Sequence, residues 1–230
     1  MLLSVLIPVF NEEDTILEVI DLLYRTQFQI PFEVIVINDG STDKTAKLLQ
    51  KRENQLQNLK IMTHEKNLGK SAAIKTAISY SSGEIIIIQD ADMEYDPREI
   101  PKLIQPIIDD KADVVYGSRF LGKIDGMKSL HRFGNIFLSK MTKLLLSLNT
   151  TDMETGYKVL TREVIRDFKF KGSGFLMEID ISAHIAQRNY RFVELPINFH
   201  PRKYGKKKIS MLDGIKAFYW IINYSFKKMN

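Results

Sequence analysis

The 230-residue chain contains no cysteine, which rules out disulfides, thiolate metal sites and a cysteine nucleophile, and fits a reducing compartment. No uninterrupted apolar run approaches the ~18 residues a membrane span requires. The opening residues, MLLSVLIPVF, lack the basic start and small-residue cleavage site of a secretory leader and run straight into a strand-like segment. The expectation is a cytoplasmic protein, peripheral on the cytoplasmic membrane face if it meets a membrane at all. There is no internal repeat and no low-complexity segment. No GxGxxG follows the first apolar run, which argues against a nicotinamide oxidoreductase. The four histidines share no ligand-like spacing and are read as structural. The length suits one compact unit with a sizeable core.

Charge is unevenly spread. The formal net charge is +5, yet residues 201–230 hold eight lysines and arginines against the single acid Asp213. The rest of the chain is therefore slightly acidic. A basic end on a near-neutral body points to phosphate groups, an acidic membrane surface or nucleic acid. Nucleic acid is set aside, because the basic residues are not interleaved with aromatics along a strand face.

Short apolar, β-branched runs at 2–9, 32–38, 59–64, 84–89 and 112–117 read as buried strands. Between them, 12–26, 43–57, 70–81 and 97–110 carry helical spacing, with Asp43 and Pro97 as start signals. Such alternation predicts an α/β fold: a mostly parallel, Rossmann-like central sheet with helices on both faces. Further on, helices are expected at 131–148, 175–188 and 211–228, with a strand–helix pair before the second and a strand over 190–199. Residues 1–210 are read as the catalytic domain and 211–230 as an amphipathic helix of the same unit.

Three expected strand ends carry polar clusters: PVFNEE, NDGSTD and QDADMEYD. Ligands gather at the carboxyl ends of strands in open parallel sheets. The third cluster follows four consecutive isoleucines, Ile85 to Ile88. Asp90 and Asp92, two apart in extended geometry, would leave the same side of the strand. Paired carboxylates repel unless a cation sits between them, and Mg²⁺ or Mn²⁺ fits oxygen ligands while keeping positions for a diphosphate. Glu94 is a further candidate ligand. Alternatively these acids cap a helix starting at Pro97, a role that suits Asp96.

SVLIPVFNEE, VINDGSTD, NLGKSAA, IQDADMEYDP, VVYGSRF, TDMETGYKV and RKYGKKKI, in this order, resemble the family-two glycosyltransferases of the GT-A fold. The branch resembled is that of the dolichyl-phosphate mannose and glucose synthases and their bacterial relatives. The resemblance implies a nucleotide-diphosphate sugar donor, GDP- or UDP-linked, and a metal held by Asp92 and Glu94 with Asp90 near the metal or ribose. It places Pro8, Phe10, Glu12, Ile37, Asn38, Asp39, Lys70 and Ala91 around the nucleotide sugar. It assigns donor or acceptor phosphates to Arg119, Arg132, Arg202 and Lys208. Asn38 stands where the mannose synthases usually carry aspartate, Lys207 where a serine is usual, and Glu94 where some relatives have glutamine.

A sugar hydroxyl is a poor nucleophile that needs a positioned carboxylate base, whereas a phosphate monoester, with a second pKa near ~6, needs only cations. Asp152 or Glu154 would be the base for a saccharide acceptor, or would orient the arginines of a polyprenyl-phosphate site. The catalytic candidates are thus Asp92, Arg119, Asp152 and Glu154, with Glu178 able to reach the same cleft. At 100° per residue Ile215, Phe218, Tyr219, Ile222, Phe226 and Met229 share one face of the last helix, and Trp220 falls among the lysines. Either that face packs on the core or it docks on an anionic membrane that carries a polyprenyl phosphate.

Overall fold

The structure, a computed structural model, describes residues 1–166, 168, 176–188, 190–202 and 211–228. A seven-stranded sheet runs through the chain in the order β3-β2-β1-β4-β6-β5-β7. Its strands are β1 Leu3–Val9, β2 Phe32–Asn38, β3 Leu59–Thr63, β4 Ile85–Ile88, β5 Val114–Ser118, β6 Lys158–Thr161 and β7 Phe192–Pro196. All neighbours are parallel except β6, which is inserted antiparallel between β4 and β5. The helices are α1 Ile16–Arg25, α2 Thr45–Glu53, α3 Lys70–Tyr80, α4 Ile100–Ile108, α5 Ser129–Leu146, α6 Arg162–Arg166, α7 Met177–Ala186 and α8 Met211–Lys228.

The four isoleucines of β4 explain themselves. Ile85 and Ile87 join one apolar cluster and Ile86 and Ile88 the cluster on the opposite face. A central strand covered by helices on both sides must be apolar at every position, not at alternate ones. Full burial of each such side chain stabilises the fold by roughly 1.5–3 kcal/mol, so β4 is a rigid platform.

Helix starts follow the expected chemistry. Asp96 accepts from the backbone N–H of Arg98 at 2.9 Å and caps the short turn at Pro97–Glu99 that leads into α4. Asp43 does the same for Thr45 at 2.9 Å. Strand order reverses at β1, with β2 and β3 added on one side and β4 on the other, so β1 and β4 flank a switch point, where their carboxyl ends open a crevice.

The last helix differs from its expected packing. A third apolar cluster beneath α5, α7 and α8 takes Ala217, Ile221 and Tyr224 from α8, with Phe218 and Trp220 packed against it. Trp220 lies 5.9 Å from the Tyr224 ring and is part of this packing, not an anchor among lysines. Most of the more apolar face stays in solvent: Ile215, Tyr219 and Phe226 are 61%, 65% and 65% exposed. Helix α5 carries a parallel feature, with Leu130, Phe133 and Leu144 exposed at helical spacing and Phe137 stacked 5.6 Å from Phe218.

Candidate active site

A cavity of about 1030 Å³ opens at the carboxyl ends of β1, β4 and β5. Pro8, Phe10, Glu12, Asp39, Lys70, Asp90, Ala91, Asp92, Glu94, Arg119, Glu154, Glu178 and Arg202 all line it. Residues scattered over 190 positions of sequence thus meet at one place, because parallel strands deliver every loop to the same sheet edge.

The acidic turn is built differently from a strand extension. Strand β4 ends at Ile88, and Met93 adopts a left-handed φ of 59°. Asp90 and Asp92 reach the same cavity through this turn, not through strand alternation. The turn is braced from several sides. Thr15 donates to the Ala91 carbonyl at 2.6 Å, and Gln89 donates to the Asp90 carbonyl at 2.9 Å. Tyr157 donates to Gln89 at 2.6 Å. Gly156 presses so close that a Cβ there would stand 2.6 Å from Asp90 Oδ2.

Each aspartate has a cationic neighbour. Lys70 Nζ bridges Asp90 at 2.8 Å and Glu178 at 3.4 Å. Burial opposes a charge on Lys70, but Asp90 and Glu178 outweigh it and hold the ammonium well above its ordinary pKa. Arg202 Nη2 contacts Asp92 at 2.6 Å and Glu12 at 3.0 Å. Burial, reinforced by Asp90, still raises the Asp92 carboxyl against the pull of Arg202. The acids that line the cavity outnumber its cations, a donor set of oxygens that suits a hard divalent ion with a diphosphate. Among the described residues no three histidine, cysteine, aspartate or glutamate side chains converge as a ready-made metal cluster. Asp90, Asp92 and Glu94 share the cavity without forming such a cage.

Asp152 is not a cavity residue. It is fully buried and binds Arg119 at two points, Nε at 2.7 Å and Nη2 at 2.6 Å, while accepting the Arg119 backbone N–H at 3.0 Å. With both oxygens committed, it serves to orient arginine and leaves Glu154 as the carboxylate of this segment that lines the cavity. Burial, then the charge of Glu178, pushes the Glu154 carboxyl up to about 7.

Other expected residues fall elsewhere. Ile37 is wholly buried in the core, and Asn38 uses Oδ1 to accept the Ser41 N–H at 3.1 Å behind the cavity. Strand alternation sends Ile37 into the core, and closing the turn after β2 takes the Asn38 Oδ1, leaving its buried Nδ2 without a partner among the described residues. Asp39 lines the cavity but also holds the loop before α3, accepting from Leu68 and Gly69 backbone N–H groups at 2.9 and 2.7 Å and pairing with His64 at 2.7 Å. Arg132 is exposed on α5 and does not line the cavity. Lys208 lies outside the described residues, as do Lys206 and Lys207.

Residues 4–168 match the model of glycosyl transferase family 2. The chain belongs to that family. An uncharacterised protein of Methanocaldococcus jannaschii is 32% identical over 209 residues, 85% of this chain and 87% of its own length. The dolichol-phosphate mannosyltransferase of Pyrococcus furiosus is 28% identical over 91% of this chain and 59% of its own. A low-salt glycan biosynthesis hexosyltransferase of Haloferax volcanii is 29% identical over 92% of this chain and 51% of its own. The chain thus spans little more than half of these two relatives. Glucosyl-3-phosphoglycerate synthase of Mycobacterium tuberculosis, solved with Mn²⁺, UDP and phosphoglyceric acid, superposes with a TM-score of 0.72 at 20% identity, covering 98% of this chain and 78% of that one. Its complex with Mg²⁺ and UDP gives 0.74 over the same shares. The fold is therefore that of the GT-A transferases.

The structure also places at or beside this cavity residues that the sequence did not single out. His131, read as structural, lines the cavity together with Tyr95, Asn135 and Phe199. Lys158 is wholly buried in β6, donates to the Met153 carbonyl at 2.9 Å and sits 4.7 Å from the Tyr116 ring centre. Burial lowers its pKa to about 8, with Glu178 and Glu154 opposing. Its signal was a lysine opening an otherwise apolar strand, KVLT.

Proposed function

We propose that this glycosyltransferase moves a hexose from a nucleoside-diphosphate sugar to a polyprenyl phosphate, with inversion and with Mg²⁺ or Mn²⁺ bound. One observation carries the acceptor: the cavity has an acidic floor at Asp90 and Asp92 and an apolar rim of Leu130, Phe133, Phe137, Ile215 and Phe218. A saccharide gains little from such a rim, whereas an isoprenoid chain is solvated by it. The rim continues onto the exposed stripes of α5 and α8, which suit the interface of a membrane carrying the acceptor. Among the described residues no helix is long and apolar enough to cross a membrane.

In this reading Asp90 and Asp92, with Glu94 beside them, hold the divalent ion. When bound, the ion neutralises charge that develops on the departing diphosphate. Lys70 fixes the Asp90 carboxylate, and Glu12 and Asp39 offer acceptors to ribose or base. Arg119, oriented by Asp152, and Arg202 supply cations for phosphate groups, and the acceptor phosphate attacks without a protein base. The experiment is a screen of GDP- and UDP-linked hexoses with Mg²⁺ or Mn²⁺, with and without a short polyprenyl phosphate, reading nucleoside diphosphate release. Lipid-dependent release is expected; equal release with simple saccharides would overturn the acceptor.

A second reading has its own support. Glu154 lines the cavity with a carboxyl held near neutrality, where a general base for a hydroxyl acceptor works best. In that case Glu154→Gln would abolish transfer to the saccharide while sparing binding of the nucleoside diphosphate.

A further inference from the structure

We infer that Glu178, with Glu154, recognises hydroxyl groups of the donor hexose and so determines which sugar is transferred. This inference rests on the nucleotide-sugar reading above.

Two carboxylate oxygens at this cavity are buried with no hydrogen-bond partner among the described residues: Glu178 Oε2 and Glu154 Oε1. Glu178 is only 4% exposed, yet it lines the cavity. A buried acceptor left unsatisfied is costly, and an ionised carboxylate more so. The nearby ammonium groups direct their contacts elsewhere and touch neither of these two oxygens. Lys158 serves the Met153 and Thr155 carbonyls, and Lys70 reaches only the other Glu178 oxygen, at 3.4 Å, while holding Asp90 at 2.8 Å. The missing partners are donors that a ligand brings, and a hexose ring is a dense array of O–H donors.

Position argues the same way. Because one ammonium touches both acids, Glu178 and Asp90 are separated by no more than those two contacts laid end to end. With Asp90 at the diphosphate end of the site in the proposed reading, Glu178 is within reach of a sugar joined to that diphosphate. Glu154 lines the same cavity as Glu178. Ser182 Oγ donates to the Glu178 backbone carbonyl at 2.8 Å and exchanges a hydrogen bond with Tyr116 at 3.0 Å, which fixes the first turn of α7. An acceptor on a rigid helix start discriminates because it cannot follow a misplaced hydroxyl.

The test compares GDP- and UDP-linked glucose and mannose with their monodeoxy analogues. Wild-type protein is expected to lose about 10- to 100-fold in kcat/KM for at least one monodeoxy donor, the loss for one hydrogen bond to a charged group. In Glu178→Gln the intact donor should fall by a comparable factor, and the same deoxy donor should show no further loss. Calorimetric affinity for GDP or UDP alone, which carry no hexose, should stay within about twofold. Glu154→Gln repeats the comparison should the first variant fold poorly. Indifference of the wild type to every deoxygenation would overturn the inference, as would equal losses on all donors in the variants. Absence of any nucleotide binding would instead overturn the transferase reading and the inference with it.

Discussion

Asp152 grips Arg119 by both its side chain and its backbone: two carboxylate–guanidinium contacts at 2.7 and 2.6 Å and an N–H contact at 3.0 Å. The arginine is thereby locked at the end of β5, wedged near the Phe120 and Phe199 rings, with its side chain at the cavity wall. A group that spends both oxygens on a neighbour is a positioning residue. Burial opposes charge on Arg119, yet Asp152 raises its pKa further above an already high value, so the cation persists at any working pH.

Asp152→Asn is therefore expected to raise the KM for a phosphate acceptor by about tenfold or more, with donor affinity unchanged, because one arm of the pair is lost. Leaving a buried guanidinium half-paired should also cost about 3 kcal/mol of stability. Steady-state kinetics with each substrate varied in turn, together with thermal unfolding, checks this. A collapse of kcat with both KM values unchanged would make Asp152 a base after all.

Asp92→Ala should reduce turnover by roughly 10²–10³-fold, the usual loss when one charge-stabilising contact to a reacting group is removed. Chelation of divalent ions should silence the wild type, and added Mn²⁺ or Mg²⁺ should restore it. Undiminished transfer by Asp92→Ala in chelator would remove the metal from the mechanism.

Glu33 links β1, β2 and β3 at the far end of the sheet. It accepts from Ser4 at 2.7 Å, Ser82 N–H at 2.6 Å and Lys60 at 2.9 Å. Although burial works the other way, the Ser82, Lys60 and Ser4 donors hold its pKa at about 2, against 4.5 for a free glutamate. Between those values the unfolded chain binds a proton that the folded chain does not. The contribution, on the order of 2–3 kcal/mol, is complete above about pH 4.5 and is lost as pH falls towards 2. Glu33→Gln should be less stable at pH 7 but flatter below pH 4.5 in urea titrations; parallel curves for the two proteins would contradict this.

The exposed stripes of α5 and α8 make a surface prediction. Phe133→Glu and Phe226→Glu remove apolar area from these stripes without touching the core, so stability should change by less than about 0.5 kcal/mol. Sedimentation with anionic vesicles should fall about tenfold or more for each, given roughly 1.5–3 kcal/mol per buried aromatic. Point variants are preferable to deleting α8, since Ala217, Ile221 and Tyr224 belong to the core. Unchanged vesicle binding by the double variant would show that these stripes serve another purpose.

Strands β1 to β5 and the helices between them were legible because apolar runs and helical periodicity are local signals. The acidic cluster, the cap at Asp96 and the polar strand ends were legible for the same reason, but the extended geometry expected at Asp90 and Asp92 is a turn past the end of β4. Strand β6 was visible as a short apolar strand, but its antiparallel insertion between β4 and β5 was not, since pairing partners are chosen by contacts far apart in the chain. Ile37 and Asn38 were misplaced because a motif names a neighbourhood and not the direction in which a side chain points.

By itself the sequence determined the α/β class, the loops that carry chemistry and the family, all properties of residue type and short-range order. Tertiary structure alone decided that Asp152 serves Arg119, that Glu154 and Glu178 each keep a buried oxygen without a partner among the described residues, and that α8 hides Ala217, Ile221 and Tyr224 while exposing Ile215, Tyr219 and Phe226. Those outcomes depend on which group wins a shared partner or a shared volume, and that competition exists only once distant segments are packed together.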